Sequence, residues 1–463
     1  MYTKSFHVTV VGTGYVGLTT GATLAFLGHE VTCVDIDEEK IALLKSGKAP
    51  IYEPHIEALM HESAGRLRFS TDLKNSIRDS QVSFITVGTP PKADGSADLS
   101  AVASVAKGIG QALCKDQRHV IINKSTVPVG AGNYVESLVL QGYRKTHNNG
   151  HGPEMGSFSV ASNPEFLREG SAVTDSLYPD RIVLGSHEPW ALEILHELYR
   201  PLLEQTFAPP AFAPRPAAVE SVPLVTTDVV SAETLKYAAN AFLATKISFI
   251  NEVAGLCEAV GADVSEVARG IGLDDRIGHR FLQAGISWGG SCFGKDTQAL
   301  ISTGHEFNYA MPILEASVFV NERQRLSVIE KLQHELKILK GRTIGLMGLA
   351  FKPHTDDLRD SPALDIITEL VKRGAHVRVH DPVAIPACRR SFPNLPVQYA
   401  CDMNELAFEA DALVLVTDWP EYRSVDWEAL GEVMKRRIVI DGRNHLDTEL
   451  LAEHRFTYRG TGR

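Results

Sequence analysis

Apolar residues along the chain fall into two kinds of run, and their alternation predicts the architecture. Short, continuous, β-branched runs occur at 6–11, 31–34, 82–87, 120–122, 158–161 and 182–184. Between them lie stretches with apolar positions at helical spacing, such as 18–27 and 102–113. Strands alternating with helices predict a parallel sheet covered on both faces, which is why these runs are uniformly apolar rather than alternating. Further on, Val229, Ala232, Leu235, Ala239, Phe242, Ile247, Ile250 and Val253 recur near helical spacing and predict one long helix over 229–260. From Thr343 the strand–helix rhythm restarts, with apolar runs at 343–348, 377–380, 412–417 and 437–440. The expected order is α/β, a helical centre, then α/β again. Two stretches, 144–157 (RKTHNNGHGPEMGS) and 207–223 (FAPPAFAPRPAAVESVP), lack either period and read as surface insertions or linkers, the second as a domain boundary.

Composition narrows the class. At 463 residues the chain is too long for a single core, so two or three domains are expected. A net charge of −11 excludes the broad positive surface that nucleic acid or an anionic membrane requires. It does not exclude a nucleotide, since a few local amides and cations hold a diphosphate. The six cysteines (Cys33, Cys114, Cys257, Cys292, Cys388, Cys401) are scattered, which fits neither a disulfide framework nor a zinc ribbon, and no metal is expected. The first residues enter a strand pattern with no signal peptide or long apolar span, so the cytoplasm is the expected compartment.

Gly12-Thr13-Gly14-Tyr15-Val16-Gly17 follows a predicted strand and opens a predicted helix, the context that a dinucleotide fingerprint needs. The glycines allow a tight turn and close approach of the backbone to a pyrophosphate, and the helix N-terminus attracts the anion. Asp35 ends the next strand, about 20 residues on, where a carboxylate reaches the adenosine ribose and disfavours a 2′-phosphate. NAD is therefore expected. The plainer reading is a glycine turn that serves packing alone. Lys40 either steadies the adenine side or is a solvated helix residue.

Residues 288–296 read Trp-Gly-Gly-Ser-Cys-Phe-Gly-Lys-Asp. A thiol beside two glycines is accessible, and Lys295 stands three residues on as a cation for its thiolate. A buried, inert cysteine is the alternative, and it is the expected state of the other five. Lys236 and Asn240, four apart on the long helix, share a face that is otherwise small and apolar, an arrangement suited to an oxyanion. A snorkelling lysine and a capping amide would look the same. Asn163 to Gly170 and Lys124 to Pro128 each follow a strand end, where open α/β sheets bind ligands. The carboxylates Glu165 and Glu169 are otherwise an exposed helix face.

The segments GTGYVG (12–17), VGTP (87–90), KSTVPVG (124–130), NPEFLREG (163–170), KYAANAFLATKISFINE (236–252), GGSCFGKD (289–296) and GLAFKPHTDDLRDSP (348–362) run in this order over nearly the whole chain. In this combination the sequence resembles the UDP-glucose/GDP-mannose dehydrogenase family, its UDP-glucose branch most of all. The resemblance implies two Rossmann-like, doubly wound domains joined by a long central helix and a helical dimerisation region. The implied division is 1–206 for NAD, 224–325 for the helical centre and 326–463 for the UDP-sugar. The implied reaction is NAD-dependent, four-electron oxidation of UDP-glucose, a small-molecule substrate, to UDP-glucuronate through a thiohemiacetal and a thioester.

The same resemblance implies residue roles. Cys292 matches the nucleophile, and Lys236 and Asn240 the pair that stabilises oxyanions. Asp296 matches a carboxylate acting through an ordered water that Thr126 helps to hold, and Glu165 the acid of thioester hydrolysis. Asp35, Lys40, Thr89, Thr126, Glu169, Lys295 and Arg359 match NAD contacts, beside the turn of Gly12, Gly14, Tyr15, Val16 and Gly17. The sugar nucleotide is expected along Glu165, Phe166, Leu167, Arg168 and Glu169, at Lys236 and Asn240, along Phe281, Leu282, Gln283, Ala284 and Gly285, and at Gly289 and Lys352. Arg276 matches an arginine that reaches the sugar from a neighbouring subunit, so a homodimer or dimer-based oligomer is implied. Two departures stand out: Gly294 replaces a usual proline, which should loosen the loop after Cys292, and His55 replaces a usual glycine.

The chemistry is self-consistent. Taking an alcohol to an acid removes four electrons, so two NAD are needed, and an aldehyde held on sulfur can give up its second hydride without escaping. Three rivals remain: the same reaction on GDP-mannose or a UDP-N-acetylhexosamine, a two-electron hydroxyacid dehydrogenase that needs no cysteine, and a non-catalytic nucleotide-sugar sensor.

Overall fold

The computed structural model describes residues 4–92, 95–114, 118–147 and 158–463. The chain divides into two compact units, Met1–Ala238 and Ala239–Arg463. The first is built on strands β1 (His7–Val11), β2 (Glu30–Val34), β3 (Leu67–Ser70), β4 (Val82–Ile85), β5 (His119–Asn123), β6 (Phe158–Ser162), β7 (Ile182–Gly185) and β8 (Leu224–Thr227). They form one sheet in the order β3-β2-β1-β4-β5-β6-β7-β8. From β3 to β6 all pairings are parallel, the order of a dinucleotide-binding sheet. The sheet then departs from the all-parallel expectation: β7 pairs antiparallel with β6, and β8 runs parallel to β7. Every residue of β4 and β5 is buried, because helices cover both faces.

The second unit repeats the plan with β9 (Thr343–Met347), β10 (His376–His380), β11 (Gln398–Tyr399), β12 (Ala412–Leu415), β13 (Ile438–Asp441) and β14 (Thr457–Arg459), in the order β11-β10-β9-β12-β13-β14 and parallel throughout. The glycine turn is repeated as well. Gly12 (φ +105°) donates to Val34 O at 2.7 Å, and Gly348 (φ +107°) donates to His380 O at 2.7 Å. Asp381, the counterpart of Asp35, is fully used inside the protein: it accepts from the amides of Leu349, Ala350, Val383 and Ala384 and from Trp419 Nε1. The second turn is therefore a structural copy, with its acid unavailable to a ribose.

The helix expected over 229–260 spans Val229–Val260. The ten residues 148–157 of the first presumed insertion lie outside the described residues, and the helix Ala131–Thr146 covers its start. The stretch 207–223 has no helix or strand but is not a loose surface segment. Ala213 and Val222 are buried in the first core, Tyr178 Oη donates to Ala213 O at 2.7 Å, and β8 follows directly. This packing also accommodates one departure from the family pattern. His55 is left-handed at φ +67°, where glycine would be at ease, and its ring stacks on Phe212 of that stretch at 5.6 Å. The strain is of order 1–2 kcal/mol. No described helix is long and apolar enough to cross a membrane.

Candidate active site

The glycines of the first turn have different duties. A Cβ on Gly12 would lie 2.8 Å from Thr86 O, and one on Gly17 would lie 1.9 Å from Gly12 O, so both are required by the fold. A Cβ on Gly14 would meet nothing within 4 Å. Gly14 stands at the N-terminus of the helix Tyr15–Phe26, which has no side-chain cap and no acid in its first turn. Its bareness thus keeps space open in front of a helix N-terminus, where a pyrophosphate binds. Thr13 donates to Asp35 Oδ2 from its amide (2.9 Å) and its hydroxyl (2.7 Å). Burial pushes the Asp35 carboxyl up, but those bonds, the Asp37 amide and the Lys40 charge outweigh it and hold the carboxyl below its ordinary value. An ionised, half-buried acid beside the turn suits ribose hydroxyls, and the residues fit NAD. Lys40 itself is solvated and pairs with Asp37 at 3.9 Å.

Gly14→Val should therefore separate binding from folding. The residue has extended backbone (φ −75°, ψ −169°) that valine adopts freely. The expected result is a KM for NAD raised at least tenfold with the thermal midpoint unchanged, checked by kinetics and calorimetry.

The loops after β4 and β5 are tied together where Thr89 Oγ1 donates to Thr126 O at 2.7 Å. Beside them Lys236 and Glu165 form a buried ion pair: Lys236 Nζ lies 2.9 Å from Glu165 Oε1 and 2.5 Å from Glu165 O. Burial pushes the Glu165 carboxyl up, yet Lys236, the Leu167 amide and Lys124 hold it below the usual range. The acid is ionised at neutral pH. Glu165 is thus not on an exposed face, and Lys236 does not snorkel. Lys124, quoted in its motif but given no role, is a third charge here, and burial lowers its ammonium to about 8. Glu233, one turn before Lys236, was missed. Its carboxylate accepts from the amides of Gly130 (2.7 Å) and Gly132 (2.8 Å), pinning the start of the helix that follows the Thr126 loop. An acid one turn before the lysine is visible in the sequence, but its burial and its amide partners are not.

In the second unit Cys292 is half-buried and stands at the N-cap of the helix Phe293–Glu306. Asp296, one turn on, is fully buried, and its amide donates to Cys292 O at 2.8 Å. Its carboxylate accepts from Asn240 Nδ2 at 2.6 Å and Lys295 Nζ at 2.5 Å. Lys295, read as a cation for the thiolate, gives its charge to Asp296 instead. Gly294 lies in the first turn of this helix and not in a loop, so the feared loosening is limited by helical hydrogen bonding. The approach is shaped by glycines: a Cβ on Gly289 would lie 2.3 Å from Asp360 O, and one on Gly290 would lie 2.6 Å from the Phe351 ring.

Of the sugar-nucleotide candidates in this unit, Phe281 is left-handed (φ +66°) with its ring edge-on to Phe293. Leu282, Ala284 and Gly285 are buried, and the Gly285 amide donates to Asn251 Oδ1, while Gln283 is exposed. Lys352 lies over the Phe351 ring at 5.3 Å. Three arginines face solvent in local ion pairs: Arg276 with Asp274 (2.6 Å), Arg359 with Asp357 (2.7 Å) and, in the first unit, Arg168 with Asp175 (2.5 Å). Arg181 (3.6 Å) and Lys236 (5.3 Å) both lie over the Phe166 ring. Leu167 and Glu169 are half-buried beside it. Among the described residues no group of three His, Cys, Asp or Glu side chains is placed to hold a metal ion.

Comparison with known proteins extends this picture. The NAD binding domain of the UDP-glucose/GDP-mannose dehydrogenase family matches residues 6–203, its central domain 230–323 and its UDP binding domain 345–448. The UDP-glucose 6-dehydrogenase TuaD of Bacillus subtilis is 44% identical over 98% of this chain and 93% of its own. The UDP-glucose 6-dehydrogenase of Rhizobium meliloti is 43% identical over 98% and 99%. The structure of a UDP-glucose dehydrogenase from Pyrobaculum islandicum superposes with a TM-score of 0.87 at 36% identity, covering 99% of this chain and 98% of that one. With three successive domains matched and relatives this similar along their full lengths, the chain is an NAD-dependent oxidoreductase that belongs to the UDP-glucose/GDP-mannose dehydrogenase family.

Proposed function

We propose that the protein oxidises the C6 alcohol of UDP-glucose to a carboxylate, with the intermediate held on Cys292. The observation that carries the reading is the thiol at the start of a helix with a buried, hydrogen-bonded acid one turn on. Helix N-termini favour thiolate, the nucleophilic form. Bound NAD supplies the hydride acceptor, two per sugar. Asp296, held by Asn240 and Lys295, takes the alcohol proton through a water steadied by Thr126. Lys236 and Asn240 stabilise negative charge that develops on oxygen. The Cys292 sulfur bonds to the aldehyde carbon, and the oxygen gains a proton to give a thiohemiacetal. Loss of that proton and a hydride leaves a thioester. Water then adds, the C–S bond breaks with its electron pair returning to sulfur, and Glu165 accepts the proton.

The names of relatives 41–44% identical support UDP-glucose as the sugar nucleotide. Residues 1–206, 224–325 and 326–463 are the proposed NAD-binding, central and UDP-sugar-binding domains. A homodimer through the central helix is part of the proposal: Phe242, Phe249, Leu256 and Val260 recur along one helix face and are 51–67% exposed, a stripe that a second copy would cover. Arg276, exposed nearby in sequence, is proposed to reach the partner's sugar. Six cysteines that form no disulfide suit the cytoplasm, the proposed compartment.

Counting NADH formed per sugar consumed, over a panel of nucleotide sugars, tests the reaction. Two per sugar with UDP-glucose preferred is expected. One per sugar would mark a two-electron enzyme, none a sensor, and preference for GDP-mannose or an N-acetylated sugar would move the substrate within the family.

A further inference from the structure

Two cavities of the first unit meet at Glu165. The larger, about 100 Å³, has the exposed Arg168 and Asp180 and the buried Thr23, Asn163 and Tyr199 among its lining residues. The smaller, about 10 Å³, lies against Thr126, Glu233 and Lys236. Lys124, Pro164 and Glu165 border both. One water needs roughly 10–15 Å³ of such space, so the larger cavity has room for several and the smaller for about one.

The buried lining of the larger cavity is partly polar, beside the apolar Leu24, Ile182 and Leu202. Asn163 Oδ1 accepts from Lys124 Nζ (3.0 Å) and from Tyr199 Oη (2.6 Å). Thr23, 3% exposed, also lines it, and its hydroxyl has no hydrogen-bond partner in the protein. An unmet buried hydroxyl is destabilising, a penalty that water on the cavity side would remove.

We infer that this cavity stores the water that hydrolyses the thioester and that Glu165 draws on it. The inference rests on the covalent reading above. That reading makes opposed demands: hydride transfer calls for a site closed to bulk solvent, and hydrolysis calls for one water at the acyl carbon. A stock of water bordered by an ionised carboxylate meets the second demand. In the step, the water oxygen bonds to the acyl carbon while one O–H proton passes to Glu165. Collapse breaks the C–S bond, the thiolate leaves, and the acid product sheds its remaining proton.

The test narrows the cavity from two walls, with Thr23→Leu from the helix Tyr15–Phe26 and Ser176→Leu from the helix Ala172–Leu177. Thr23→Val keeps the volume, removes only the hydroxyl and guards against misfolding of the larger replacements. With NAD and UDP-glucose, rapid mixing reads the first NADH burst, steady state reads kcat, and intact mass reads the covalent adduct. The Leu variants are expected to keep the burst, lose at least fivefold in kcat and accumulate adduct, and Thr23→Val to show a smaller change of the same kind. Folded variants with wild-type kcat, or with burst and kcat slowed alike and no adduct, would overturn the inference. Glu165→Gln run in parallel separates the two levels. Adduct there but not in the cavity variants removes the reservoir alone, and no adduct anywhere removes the covalent reading.

Discussion

Cys292→Ala is expected to abolish formation of the sugar acid, a loss of roughly 10⁴-fold or more, while nucleotide binding persists. The size of the effect follows from the chemistry. Without sulfur, the aldehyde must be hydrated before it can give a second hydride, and nothing holds it meanwhile. The fold should be indifferent, since the Cys292 side chain makes no capping hydrogen bond to its helix and is only half-buried. Measuring acid product and the KM for NAD on the same preparation checks both halves. Undiminished acid production would remove the covalent route.

Lys236→Met has the second largest expected effect, and it should act twice. The ammonium is buried and donates to both the carboxylate and the carbonyl of Glu165. Removing it leaves Glu165 charged, buried and short of its main partner, which costs about 3–5 kcal/mol of stability. It also removes an oxyanion donor, worth about 10²–10³ in kcat. The double variant Lys236→Met/Glu165→Gln separates these effects. Replacing the stranded charge by an amide should recover most of the stability, read by urea unfolding, and none of the activity. Because Glu165→Gln blocks only the later hydrolysis, recovery of the first NADH burst in the double variant would show that Lys236 acts only by neutralising Glu165.

Much of this was legible because strands buried on both faces must be continuously apolar. The runs that became β1, β4, β5 and β12 were visible for that reason, and the long helix Val229–Val260 showed its period over its full length. Edge strands were not. β8 (Leu-Val-Thr-Thr) and β14 (Thr-Tyr-Arg) are short, with no fully buried residue, so they carry little hydrophobic signal. The glycine fingerprint was readable, whereas its structural copy at Gly348 was not, because its acid follows 33 positions later rather than 23. Gly294 misled for a local reason: glycine is a poor helix former, but at the first turn its cost is small beside the packing of the helix it opens. Glu233 and Lys124 could be valued only once distant partners were known, the amides of Gly130 and Gly132 for one and Asn163 with Glu165 for the other.

The account stands on sulfur carrying the sugar. Its most direct test mixes Glu165→Gln with UDP-glucose and NAD, quenches in acid, and locates any added mass by peptide mapping. The predicted result is one nucleotide-sugar acyl group on the peptide containing Cys292, absent from the same variant bearing Cys292→Ala. An enzyme that turns over and releases acid with no mass gained at that cysteine would contradict it.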